Sequence, residues 1–329
     1  MGDIHDILKE LLTSEKKAVL GTIVRVEGSS YMKEGTCIVI FEDETYIGCI
    51  SPGCLESDLV IWAKECMETE ASRIVKYDLS NTNDFGKGEG PGWNRSIQIL
   101  LQPVTIQLRT KLSYVKADLE AGHSVLHMIE FTTDYKLINQ FFVKYDNHLT
   151  NGPVELNVPL DLKRKKDRLL FVNQLEPKPR LFLFGANMDA IPVAELASRN
   201  GFSVQVCDWR PQLCSKENFP TADNLLIGQP KEIMDEIQFT HNDYVLVMTH
   251  VFQKDEEITS YIFQQGRVKY LGLLGPKKRS IQLLNQRNFP EWVHAPVGNP
   301  IGAVGPEEMA VSIVAELIQT RRSLLGQMV

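Results

Sequence analysis

The run Leu181-Phe182-Leu183-Phe184-Gly185-Ala186-Asn187-Met188-Asp189-Ala190 decides the fold of the second half of this chain. Its first four residues are continuously apolar, as a strand covered on both faces must be. Gly185 permits a sharp turn out of that strand. Ile191, Val193, Ala194, Leu196 and Ala197 then fall in one apolar sector at helical spacing, and Asn200-Gly201 stops the helix. Phe202 to Cys207 reads as a second strand, with Asp208 at its carboxyl end, 23 positions beyond Gly185. Strand, tight turn, helix, strand and terminal acid are the plan of a dinucleotide-binding βαβ unit. There the helix N-terminus faces phosphate and the acid faces a ribose hydroxyl. One feature departs from the plan: Asn187 and Ala190 stand where the second and third glycines would be. The second glycine lets a pyrophosphate approach the backbone, and Asn187 puts a side chain into that space. The expectation is a doubly wound α/β sheet for which NAD(P) is the less favoured ligand. Asp208 is either a ribose acid or a solvated strand end.

The α/β alternation continues toward the C-terminus. Leu225 to Gly228, Tyr244 to Met248 and Tyr270 to Leu274 read as strands. Ligands of open α/β sheets bind beyond strand carboxyl ends, which makes Thr249, His250 and Asp255 candidates for a site; His250 reads equally as a hydrogen-bonded structural residue. Gly275-Pro276-Lys277-Lys278-Arg279 puts three cations into the first turn of a helix. Cations there oppose the helix dipole, an arrangement that makes sense where an anion binds, with a solvated basic turn as the alternative. Gly305-Pro306-Glu307-Glu308 opens a last helix, to which Met309, Val311, Ile313, Val314, Leu317 and Ile318 give broad apolar coverage.

Pro177 and Pro179 punctuate the chain, which divides it into domains of residues 1–178 and 179–329. The first domain reads as α+β. Ile4, Ile7, Leu8, Leu11 and Leu12 mark an amphipathic helix, and Ala18 to Glu27 a strand that runs into the hydroxyl-bearing turn Gly28-Ser29-Ser30. Thr36 to Phe41 and Tyr46 to Ile50 form a hairpin. Ser51-Pro52-Gly53-Cys54-Leu55-Glu56 then leads into a helix over Ser57 to Glu70. Ile74 to Leu79 and Ser96 to Val104 read as strands, with a glycine-rich loop between them. Leu112 to Glu120 reads as a helix, and residues 124–131 and 136–144 as an antiparallel pair. The basic run Lys163 to Lys166 is a solvated face before a strand over Arg168 to Gln174. Cys54 lies in a glycine turn at a helix N-terminus, where amides and the dipole favour a thiolate, while Glu56 opposes that effect. It reads as a reactive thiolate or soft metal ligand, or as a small cysteine packed into a turn. Cys37, Cys49 and Cys66 lie within apolar runs and read as core.

With 329 residues, 43% of them hydrophobic, the chain can bury two cores. A formal net charge of −7 disfavours a nucleic-acid surface but leaves room for a local anion pocket. The opening residues carry no signal-peptide pattern, and no apolar run approaches the ~20 residues that span a bilayer. The six cysteines form no Cys-x-x-Cys and have no histidine at zinc-ligand spacing. A cytoplasmic protein with reduced thiols is expected. A homodimer is the expected assembly, since two-fold dimers are the commonest.

Taken together, these motifs resemble the xanthine dehydrogenase accessory-factor family (XdhC/CoxI) over nearly the whole chain. The likeness rests on Gly28-Ser29-Ser30, Gly35 and Ser51-Pro52-Gly53-Cys54-Leu55-Glu56, which looks like the family's Ser-Gly-Gly-Cys-Leu-Glu. Further on it rests on Gly185-Ala186, Asp208 with Arg210, Thr249-His250 with Asp255, Gly272 to Gly275, and Gly298 with Pro306-Glu307-Glu308. The resemblance implies a protein that binds the molybdenum cofactor. It would protect the cofactor and help deliver its sulfurated form to xanthine dehydrogenase or a related molybdenum hydroxylase, with a cysteine desulfurase as a further partner. On this reading Ser29, Ser30, Gly53, Cys54, Glu56, Gly185, Asn187, Asp208, Arg210, His250, Asp255, Lys277, Lys278 and Arg279 are the cofactor-binding set, and Cys54 approaches molybdenum. Tyr31-Met32, Pro52, Gly90-Pro91-Gly92 and Asn187-Met188-Asp189 depart from the family pattern. The rival readings are an NAD(P)-dependent oxidoreductase and a scaffold that only docks the hydroxylase.

Overall fold

The computed structural model describes residues 3–28, 32–51, 55–78, 96–145, 168–266, 268–286 and 288–323. The chain divides into two compact units, Met1–Pro177 and Lys178–Val329.

The first unit opens with α1 (Ile4–Thr13), capped by Asp3, whose carboxylate accepts from the amides of His5 and Asp6. Then come β1 (Ala18–Glu27), β2 (Cys37–Phe41), β3 (Tyr46–Gly48), α2 (Glu56–Thr69), β4 (Arg73–Asp78), β5 (Ser96–Pro103), α3 (Ile106–Glu120), β6 (Ser124–Thr132), β7 (Leu137–Tyr145) and β8 (Arg168–Leu175). Five strands make an antiparallel sheet in the order β3-β2-β1-β5-β4, and three make a second in the order β7-β6-β8. Side chains alternate across a strand, so β1 feeds two cores. Ala18 and Leu20 pack with α1 and α3 through Leu8, Leu11, Leu112 and Val115. Val19 and Ile23 pack with α2 through Leu59, Ala63 and Cys66. Helices thus cover both faces of the sheet.

Two expectations for this unit need correction. Helix α3 begins at Ile106, not near Leu112, because the Thr105 hydroxyl caps it by accepting from the amide of Leu108. Cys37 and Cys66 are buried, but Cys49 is only half-buried. It falls just beyond β3, and its thiol donates to the Ser51 carbonyl at 2.7 Å.

The second unit contains β9 (Arg180–Phe184), α4 (Ala190–Arg199), β10 (Ser203–Asp208), β11 (Asn224–Ile227), α5 (Pro230–Glu236), β12 (Tyr244–Val247), α6 (Phe252–Gln265), β13 (Tyr270–Leu273), α7 (Lys277–Leu284), β14 (Val293–His294) and α8 (Gly305–Ser323). Its six strands are all parallel, in the order β11-β10-β9-β12-β13-β14. Counted within the unit this is 3-2-1-4-5-6, the Rossmann order, and the α/β expectation holds. The apolar run of β9 is explained by the two layers beside it. Leu181 and Leu183 pack against α4 and α8, while Phe182 and Phe184 pack against α5 and α6. All four are at most 3% exposed, and each such burial contributes about 1.5–3 kcal/mol. Helix α5 and strand β14 are additions to the sequence reading. Val311, expected on the apolar side of α8, is 53% exposed.

Candidate functional site

The strand order reverses between β9 and β12, and a doubly wound sheet forms its ligand crevice at that point, beyond the carboxyl ends of the strands. Gly185 leaves β9 with a φ of +114°. A β-carbon there would lie 2.4 Å from the Met248 carbonyl oxygen, so only glycine fits against the end of β12. The next two residues are fastened on either side. The Ala186 amide donates to Asp208 Oδ2 at 2.7 Å. Asn187 Nδ2 donates to the Met248 carbonyl at 3.0 Å, and Asn187 Oδ1 accepts from Arg210 Nη2 at 3.0 Å.

Arg210 also closes on Asp208. Its Nε reaches Oδ1 at 2.9 Å, its Nη2 reaches Oδ2 at 2.7 Å, and its own amide reaches Oδ1 at 2.8 Å. Burial alone would raise the Asp208 carboxyl. The hydrogen bonds from Arg210 and from the Ala186 amide outweigh it and hold the group below its ordinary value. Asp208 is 2% exposed. An acid open to a ribose diol was one of the two readings of this position, and a solvated strand end was the other. The geometry is neither: both oxygens are spent on the turn.

A second group of expected residues gathers at the ends of β12 and β13. Asp255, in the first turn of α6, is 2% exposed. Its Oδ1 accepts from the Thr249 hydroxyl, and its Oδ2 from Arg279 Nη1 at 2.5 Å. His250 has a φ of +62°, a left-handed backbone uncommon for a residue with a side chain. Its Nε2 meets Asp189 Oδ2 at 2.7 Å. Met248, His250, Asp255, Leu274, Gly275, Pro276 and Arg279 line a cavity of about 170 Å³. Of the three expected cations, Lys277 and Lys278 are exposed, whereas Arg279 is partly buried against Asp255. Asp189 escaped the sequence reading: a helix-start acid gives no sign that it will hold a histidine 61 positions away.

In the first unit, Ser29, Ser30, Gly53 and Cys54 lie outside the described residues, as do the glycine-rich loop and the basic run at Lys163. Glu56 is described and is 3% exposed. Its Oε1 accepts from the amides of Ile50 and Ser51 at 3.1 and 2.9 Å, and its Oε2 accepts from the Ser51 hydroxyl at 2.6 Å. Burial works to raise this carboxyl, and the bonds from Ser51 and Ile50 more than offset it, leaving it below its ordinary value. Expected to face a ligand, Glu56 instead closes the Ser51 turn onto the start of α2. The Cys49 thiol is pushed up by burial and then by the Glu56 charge, so it is held as a neutral thiol. Among the described residues, no three His, Cys, Asp or Glu side chains come together as a metal site, and no helix is long and apolar enough to cross a membrane.

The six-stranded Rossmann sheet with this crevice in the second unit, and the sequence from Ser51 to Glu56 in the first, define the class. Residues 181–317 match the XdhC Rossmann domain, and residues 11–78 match the XdhC and CoxI family. A Bacillus subtilis (strain 168) protein described as a probable xanthine dehydrogenase subunit is 38% identical over 98% of this chain and 98% of its own length. The chain belongs to the XdhC and CoxI family. The Escherichia coli (strain K12) "Molybdenum cofactor insertion chaperone PaoD" is 22% identical over 95% of this chain and 86% of its own. Among solved structures, a crystal structure described as a xanthine dehydrogenase from Bacillus halodurans superposes with a TM-score of 0.86. It is 39% identical, with 98% of this chain and 96% of that one covered.

Proposed function

We propose that this protein is a maturation factor for a molybdenum hydroxylase of the xanthine dehydrogenase type. It binds the molybdenum cofactor and hands over the sulfurated form, with a cysteine desulfurase as the source of sulfur. The reading extends to a cytoplasmic homodimer serving purine catabolism. The observation that carries it is the closed turn at Gly185. The dinucleotide position of the Rossmann sheet is filled by the Asn187 side chain, and its acid is spent on Arg210 and Ala186. An NAD(P) oxidoreductase needs that position open. What is left beside it, a small cavity with Arg279 and His250, fits an anionic end of a larger ligand. A pterin dithiolene carrying a phosphate has such an end. The family membership and the relative named as an insertion chaperone support the same reading.

The residues that would hold the cofactor are Arg279, His250 and Lys277 in the second unit, and Cys54 with Ser29, Ser30 and Gly53 in the first. The bound cofactor would supply the molybdenum to which a Cys54 thiolate is a soft ligand. Within the second unit, Asp208, Arg210, Asn187 and Gly185 fix the turn at the end of β9 and Asp255 orients Arg279; within the first, Glu56 fixes Ile50 and Ser51 at the start of α2. The test is co-expression with the client enzyme, followed by cofactor analysis of the purified chain. Wild type retains the cofactor and activates the client, and Cys54→Ser weakens both. Full retention and full activation by Cys54→Ser would remove the thiol from the mechanism. Absence of cofactor from wild type would overturn the reading. A scaffold that only docks the hydroxylase predicts partner binding unchanged by Cys54→Ala.

A further inference from the structure

The Gly185 turn is where a Rossmann sheet ordinarily receives phosphate, and here that position is filled. The next strand end along the sheet offers another. Pro276 caps α7 with no side-chain acceptor, and Pro276 itself accepts from the amides of Arg279 and Ser280. The amides of Lys277 and Lys278 precede any intrahelical bond and keep unmet donors. Gly275 and Pro276 line the 170 Å³ cavity directly.

Ser280 supplies an independent sign of a ligand. It closes the first turn of α7, is 1% exposed, and its hydroxyl has no partner among the described residues. A buried hydroxyl without a partner costs free energy, so it calls for one. Helical side chains lean toward the helix N-terminus, and Ser280 stands four residues after Pro276, so its side chain leans toward the Pro276 end of α7. Arg279 adds a cation fixed from behind. Buried Asp255 holds it through Nη1, and no described hydrogen bond uses its Nε or Nη2. Of the two carboxylates nearby, Asp255 is held by Arg279 and Thr249, while Asp189 meets His250 through Oδ2 and its buried Oδ1 has no hydrogen-bond partner among the described residues. Exposed Lys277 and Lys278 and the helix end bring positive charge to the turn.

We propose that the α7 turn, through the amides of Lys277 and Lys278, the Ser280 hydroxyl, Arg279 and Lys277, is the phosphate subsite of this unit, in place of the Gly185 turn. The chemical class it takes is a phosphomonoester or a pyrophosphate. The cavity is smaller than the ~300–1,000 Å³ that engulfs a whole drug-sized ligand, so it receives the end of a ligand whose remainder lies outside it. The assignment rests on the cofactor-binding reading above and divides the labour within it: this turn holds the phosphate end only.

Calorimetric titration of the full chain with inorganic phosphate and, separately, inorganic pyrophosphate tests the assignment. Wild type saturates at one site per chain. Saturation by both ions assigns the terminal phosphate of a mononucleotide-free pterin, and saturation by pyrophosphate alone assigns a dinucleotide linkage. Ser280→Ala removes a hydroxyl that bonds nothing in the free protein, so folding is unaffected while binding weakens by about threefold to tenfold. Lys277→Ala, at an exposed position, weakens it by a similar factor and lowers the salt dependence. Asn187→Gly leaves binding unchanged. The proposal is overturned if wild type does not saturate with either ion, if Ser280→Ala and Lys277→Ala both bind as wild type does, or if binding appears only after Asn187→Gly. Cofactor retention is read separately. Wild type that retains the cofactor but binds neither ion refutes this subsite alone. Wild type that binds pyrophosphate here yet never retains the cofactor refutes the maturation reading and leaves the subsite standing.

Discussion

Arg210→Ala tests whether the closed turn at β9 is held by charge. The substitution removes three hydrogen bonds: two to Asp208 and one to Asn187. Deleting one partner of a fully buried ion pair costs ~3–5 kcal/mol. Two facts reduce that figure here. The Arg210 side chain is 31% exposed, so solvent screens part of the attraction. Asp208 also keeps two backbone donors, the amides of Ala186 and of residue 210 itself. The expected loss is about 2–3 kcal/mol, or roughly 5–10 °C for a unit of this size. The two units can unfold separately, so the transition is best followed by Trp209 fluorescence. Its ring lies 4.5 Å from the Arg210 guanidinium. A double-mutant cycle with Asp208→Asn isolates the pair: in that background Arg210→Ala should cost under about 1 kcal/mol. The acid limb gives a second check. The folded Asp208 carboxyl sits below its ordinary value, so its contribution is fully present above the unfolded value near ~3.9. It fades as pH falls through the folded value. Arg210→Ala should flatten that limb, because the folded value then moves back toward the unfolded one. A loss under about 0.5 kcal/mol, with an unchanged acid limb, would refute the reasoning.

Gly185→Ala forces a side chain against the Met248 carbonyl in a backbone region that L-residues avoid; it should cost about 2–4 kcal/mol by urea unfolding, and a cost near zero would mean the turn can re-route. Glu56→Ala strips the acceptor from the Ile50 and Ser51 amides and should cost about 2–3 kcal/mol, with Cys49 becoming easier to alkylate near pH 8 once the neighbouring negative charge is gone. Unaltered Cys49 alkylation would show that burial alone governs that thiol. The exposed apolar side chains Ile301, Val304 and Val311 suit a two-fold contact. Light scattering should give a dimer mass that Val304→Asp with Val311→Asp shifts to monomer, and a monomer mass for wild type at micromolar concentration would refute this.

The second unit was legible where its strands are sealed on both faces. Nothing but an unbroken apolar run can serve as β9 when helices press on each side, and the order of strands and helices follows from the alternation. Short elements left no such trace. Strand β14 has two residues, too few to show a period, and α5 has seven. The start of α3 was hidden because Ile106 at its N-terminus is 85% exposed, so the helical period becomes visible only after Leu108. At the candidate site, residue types were readable and partnerships were not. Asp208 and Arg210 were both singled out, yet their pairing depends on the chain folding back over two residues, which no spacing encodes. The obstruction by Asn187 could be foreseen, but its anchor could not, since the Met248 carbonyl is 61 positions away. A histidine with a left-handed backbone likewise gave no warning, because that conformation comes from the path between β12 and α6.

The fastening of the Gly185 turn has a consequence for timing. Its amide is bonded to the Cys207 carbonyl, the Ala186 amide to Asp208, and the Met248 amide to the Phe184 carbonyl. Strand β9 is therefore sewn to both neighbours just where a mobile loop would usually begin. Protons on these amides can exchange with solvent only when the sheet itself opens, so they should rank with the slowest in the molecule. A ligand arriving at this edge meets a surface that is already set, and loading it orders no backbone in the β9 turn. Residence time against the β9 turn is then governed by how fast the ligand's own contacts break, with no slow closing or reopening of that turn to wait for.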